Sequence, residues 1–78
     1  MSTRSHNEKK FGAWEELAGG GRRYWFEVTG KQGWKARYVK EVDAREKTVK
    51  FWQEIRDGNG QLVEIHEKYP ADTGHRKA

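Results

Sequence analysis

Two constellations in this chain hold side chains able to do chemistry. Near the C-terminus the stretch VEIHEKYPADTGHR carries two histidines, three carboxylates, a lysine and an arginine. Read as a strand running into a tail, it puts Glu64, His66 and Lys68 on one face. His66 then stands between a carboxylate and an ammonium, where an imidazole can take a proton near neutral pH. If the tail brings His75, Arg76 and Lys77 to the same rim, the set suits metal-free RNA cleavage, with one histidine as base, one as acid and a cation on the phosphate. The plainer reading is a solvated strand histidine, His66, followed by a disordered end bearing His75 and Arg76.

The second constellation alternates cations with tryptophan. RRYWFEVT, WKARYVKEV, KTVKFWQEI and QLVEIHEKY each read as a strand. Alternation gathers Arg23, Trp25, Lys35, Arg37, Lys50, Trp52, Arg56 and Lys68 on one face, together with Val39. Indoles among cations make a surface that stacks bases and neutralises phosphates. The same face carries Glu27, Glu54 and Glu64, so a ladder of cross-strand ion pairs on a wet sheet face explains it as well. A protein-binding surface is the third reading, since exposed aromatics serve it equally.

Other chemistries fail on spacing. DGNGQLVEIHEK begins like a calcium loop, but Leu62 stands where glycine is required and Lys68 where the bidentate glutamate belongs, so Gly58, Asn59 and Gly60 read as a hairpin turn. GGGRR follows a helix and precedes a strand, the reverse of a phosphate loop. The chain has no cysteine, and His6, His66 and His75 are far apart with no H-E-x-x-H. No metal or cofactor is expected.

The elements that must position these residues are one helix and four strands. Ser5 and Glu8 fit a capping box, and Phe11, Trp14, Leu17 and Ala18 recur at helical spacing before Gly19–Gly21. This predicts a helix over 7–18, with Gly12 as a weak point inside it. The strands are joined by GKQG, DAREK and RDGNG, too short for parallel crossovers. The fold expected is α+β, one N-terminal helix packed on a four-stranded antiparallel β-meander; a strongly curled sheet or small barrel is the alternative. Tyr24, Phe26, Val28, Trp34, Ala36, Tyr38, Val49, Phe51, Ile55, Val63 and Ile65 would face the helix. Gln53, the polar exception among them, would need a hydrogen-bond partner. Residues 1–78 form a single domain, with 1–6 and 71–78 as flexible tails.

At 78 residues the core must be thin, and four Trp, three Tyr and three Phe supply its apolar area. The absence of cysteine fits a reducing compartment, and no apolar run approaches the ~20 residues of a membrane span, so a soluble cytoplasmic protein is expected. A formal charge of +4 permits an anionic partner without demanding one. A helix followed by a four-stranded antiparallel sheet resembles the layout of small ribonuclease toxins of the barnase and RelE-like kind. The resemblance is of layout alone; no motif of those families maps onto this chain and no catalytic position is carried over. The reading that results is a non-enzymatic binding module for single-stranded nucleic acid or an acidic protein, monomeric or weakly dimeric. A metal-independent ribonuclease-like domain and a protein-interaction module are the alternatives. A nucleic-acid complex of six exposed cations would weaken steeply with salt.

Overall fold

The computed structural model describes residues 3–71 and 74–77, the side chains of the last four excepted. The order is α1 (Arg4–Phe11), β1 (Ala13–Glu16), β2 (Arg22–Thr29), β3 (Lys35–Val42), β4 (Thr48–Arg56), β5 (Leu62–Tyr69) and β6 (Gly74–Lys77). The α+β class and the antiparallel sheet are as expected. The sheet has six strands rather than four, in the sequential order β1 to β6, and it does not close into a barrel. Arg4–His6 and Gly74–Lys77, expected in tails, lie in α1 and β6.

The two additional strands have different origins. β1 occupies sequence that was assigned to the helix. The helix starts and stops earlier than its apolar spacing suggests. Thr3 is the N-cap and its hydroxyl accepts from the His6 amide at 3.2 Å. Gly12 takes the left-handed conformation at φ 80° and closes the helix, its N–H donating to the Glu8 carbonyl. The chain then turns back, and Ala13–Glu16 pair with Trp25–Arg22. β1 therefore covers only the first half of β2. β6 continues the meander past Pro70 and pairs with Glu64–Glu67 of β5.

α1 is polar on every side, and among its residues only Asn7 and Phe11 are buried. An eight-residue helix has little stability of its own in water, so docking must hold it. Phe11 supplies the apolar part. Its ring lies 5.9 Å from Tyr24, 5.5 Å from Phe26 and 6.5 Å from Phe51, and with Tyr24 and Val42 it forms the buried core. Asn7 and Arg4 supply a polar part. The carboxylate of Glu46, in the β3–β4 turn, accepts from Arg4 Nε and from Asn7 Nδ2, both at 3.0 Å, and from the Tyr24 hydroxyl.

Three register shifts interrupt the pairing of the inner strands. Each leaves one residue extra: Val49 in β4, and Val63 and Lys68 in β5. One inserted residue swaps the faces of everything beyond it, because side chains alternate with period two. Between its two shifts β5 is thus reversed from expectation. Glu64 and His66 lie opposite Ile55 and Gln53, on the helix side, while Ile65 and Glu67 lie opposite Glu54 and Trp52. Gln53 does have the partner it needs, donating to the Tyr38 hydroxyl at 3.1 Å. Ile65 leaves the helix face, and Val49 is half exposed.

Candidate nucleobase-binding face

The sheet face away from α1 is concave. A pocket of about 340 Å³ opens there, lined by Glu15 of β1, Arg23 and Trp25 of β2, Arg37 and Val39 of β3, and Trp52, Glu54 and Arg56 of β4. Register explains the grouping. Trp25, Val39 and Trp52 stand abreast on three adjacent strands. Two strand spacings put the two tryptophan backbones ~10 Å apart. Val39 between them is only 3% exposed although the helix packs on the other side, so neighbouring side chains bury it and it forms the pocket floor.

The polar groups come in opposite-charge pairs. Arg23 reaches Glu41 at 2.7 Å and also binds Glu15, Arg37 reaches Glu27 at 3.3 Å, and Arg56 reaches Glu54 at 3.3 Å. Glu41, then Glu15, hold the Arg23 guanidinium above its ordinary value against the opposing effect of burial. The Trp52 indole N–H donates to Glu54 at 2.9 Å. One donor is unused: Arg37 Nε is buried without a hydrogen-bond partner among the described residues.

Of the eight residues expected to bind an anion, five line this pocket: Arg23, Trp25, Arg37, Trp52 and Arg56. Lys50 borders it, with Nζ 5.2 Å from the centre of the Trp52 ring. Lys35, opposite Arg56, lies at the end of the strand beside an apolar patch of Val28, Trp34, Ala36 and Ile55. Lys68 is a correction. As the extra residue of a bulge it crosses to the helix side, where Nζ lies 5.3 Å from the Tyr38 ring. His66 is on that side too, so the imidazole and the tryptophans expected beside one another are on opposite faces of the sheet. The backbone of His75 pairs with that of His66, and Arg76 with Ile65; the side chains of His75 and Arg76 are outside the described residues. Glu15 was missed because its segment was assigned to the helix. The signal was Gly12, which ends a helix as readily as it weakens one.

Among the described residues no three His, Asp or Glu side chains converge as a metal site would require, and no helix is long and apolar enough to cross a membrane. No protein-family model matches this chain, nor does any curated protein or solved structure.

Proposed function

We propose that the chain binds single-stranded nucleic acid through this concave face, by stacking bases against Trp25 and Trp52 and reading base edges with the paired arginines and glutamates. The observation that supports it is the composition of the pocket: two indoles flanking a buried apolar floor, rimmed by donors and acceptors alike. An isolated phosphate offers acceptors only, so it calls for donors and cations and not for carboxylates. A base edge offers both donors and acceptors, so a lining of guanidinium forks and carboxylates suits it better.

The pairing of charges revises the expected salt dependence. Three arginines of this face are already neutralised by glutamates, and Lys35 and Lys50 are its cations without an ion pair among the described residues. For single strands each neutralised phosphate contributes ~0.7 to the slope of log K against log salt, so a slope of ~−1.5 is expected rather than the ~−4 of six phosphate contacts. Fluorescence titration with short single-stranded RNA at several salt concentrations measures it directly. In the same titration Trp52→Ala should cost about 1–3 kcal/mol, the range for a stacked base. Undiminished binding by that variant would sink the assignment.

A further inference from the structure

Strand pairing arranges the concave face as three parallel rows that run across the strands. Trp25, Val39 and Trp52 form the middle, apolar row. Two residues along, Glu15, Arg23 and Glu41 stand abreast on β1, β2 and β3. Two residues the other way, Glu27, Arg37 and Glu54 stand abreast on β2, β3 and β4. Each charged row lies ~7 Å from the apolar one, the length of two strand residues. A base stacked between the two indoles lies along the strand direction and turns its edges toward the two charged rows.

The two carboxylates that line the pocket differ in what they can still accept. Glu54 is 17% exposed, and its oxygens already take the Trp52 indole N–H at 2.9 Å and Arg56 at 3.3 Å. Glu15 is 50% exposed. Arg23 holds it in place, with Nη1 donating to Glu15 and Nε donating to Glu41 at 2.7 Å. Glu15 is thus a positioned carboxylate that still faces water, on the row to one side of the tryptophans. On the opposite row Arg37 pairs at 3.3 Å with Glu27, both of them partly exposed. An ion pair in that setting contributes little, so the guanidinium can turn to a ligand at small cost.

A carboxylate has two oxygens and takes two parallel N–H groups at once. Among the common bases guanine alone shows two adjacent donors, N1–H and the N2 amino group. In adenine and cytosine the amino group lies beside a ring-nitrogen lone pair, and in uracil and thymine the N–H lies between two carbonyls; a carboxylate repels both arrangements. The Hoogsteen edge of guanine carries O6 and N7, the acceptor pair that arginine fits bidentately. We infer that the pocket takes one guanine of the strand, with Glu15 accepting from N1–H and the N2 amino group and Arg37 donating to O6 and N7. The inference rests on the strand-binding reading and adds to it a base identity and the residue that sets it. Stacking on Trp25 and Trp52 serves any base, whereas the carboxylate on β1 admits one. The pocket volume of about 340 Å³ is in the range of sites for a single small ligand.

The test is a fluorescence titration of the full chain with hexauridine and with the same hexamer carrying one central guanosine, adenosine, cytidine or inosine. The guanosine hexamer should bind about tenfold more tightly than the adenosine, cytidine and uridine ones. Inosine, which lacks the N2 amino group, should lose several-fold of that gain. Glu15→Gln should bring the guanosine hexamer down to the affinity of hexauridine and leave hexauridine binding unchanged, which also shows the variant to be folded. Trp52→Ala should weaken every hexamer. Equal affinity for the guanosine and adenosine hexamers, or a guanosine preference undiminished in Glu15→Gln, overturns the guanine inference and leaves strand binding standing. Inosine binding as tightly as guanosine overturns the contact of Glu15 with the amino group, and needs no variant. 7-Deazaguanosine binding as tightly as guanosine overturns the role of Arg37. Guanosine 5′-monophosphate binding as tightly as its hexamer keeps the base identity and overturns the strand. No binding by any hexamer or by the mononucleotide overturns both readings together.

Discussion

Glu46 occupies a left-handed backbone position, φ 68°, which costs a residue with a β-carbon about 1–2 kcal/mol. The turn holds it there: Asp43 Oδ1 accepts from the amides of Arg45 and Lys47, and Asp43 O from that of Glu46. The result is a carboxylate only 7% exposed, pointed at α1. Burial pushes its pKa up, but hydrogen bonds from Tyr24 and Asn7 and the charge of Arg4 outweigh burial and hold it below the usual carboxylate range. A carboxylate lowered in the folded state contributes stability that is fully present above its unfolded value and is lost as pH falls through the folded one. Denaturant midpoints measured against pH should therefore fall below the ordinary carboxylate range, with loss of helical circular dichroism as α1 undocks. Tyr24→Phe keeps the ring and removes the hydroxyl from a charged acceptor, and should cost about 1.5–3 kcal/mol by denaturant unfolding. None of this was legible in the sequence, where DAREK looks like any polar turn. Lys40 did leave a trace: alternation from Tyr24 and Tyr38 puts it on the apolar face, where a lysine is out of place.

Among the elements, β2, β3, β4 and β5 were legible to within a residue of their ends, because β-branched and aromatic runs meet turn residues sharply there. RRYWFEVT is β2 residue for residue. The helix was misplaced because Trp14 and Leu17 extend an apolar spacing from Phe11 that two different structures satisfy, one long helix or a short helix and a strand. The bulges were invisible for a deeper reason. A shift such as that at Lys68 is a property of two strands together, and alternation within either one does not contain it. Two glycines separate backbone freedom from steric room. At Gly12, φ 80°, an added Cβ meets nothing within 4 Å, so Gly12→Ala should cost about 1 kcal/mol of conformational strain alone. Gly21 has an extended backbone that any residue adopts, yet a methyl there would overlap the Val42 carbonyl oxygen. Gly21→Ala should be the more damaging of the two in thermal unfolding, the reverse of what φ alone suggests.

In the whole molecule, whose long axis is 37 Å, α1 covers one end of the sheet. Phe11, Tyr24 and Val42 are buried there, while Val28 and Trp34 at the far end are 50% and 39% exposed. Stability should follow that gradient. Amide hydrogen exchange is expected to be slowest around Tyr24 and Val42 and to quicken toward Thr29 and Lys35; uniform protection along β2 and β3 would show that the core is not confined to the helix end. The concave face lies on the middle strands, within reach of the well-anchored region, so its tryptophans sit on a firm base. The short first strand carries a different consequence. Because β1 stops opposite Trp25, no described strand pairs with the outer side of Phe26–Thr29, and a β-branched backbone edge is left open to strand addition by another chain. That edge is four residues long and holds Glu27, which a newcomer would have to bury beside its own side chains. Shortness and one charge are the means by which native sheets discourage edge-to-edge growth, and here both protect a sheet that would otherwise offer a template for aggregation.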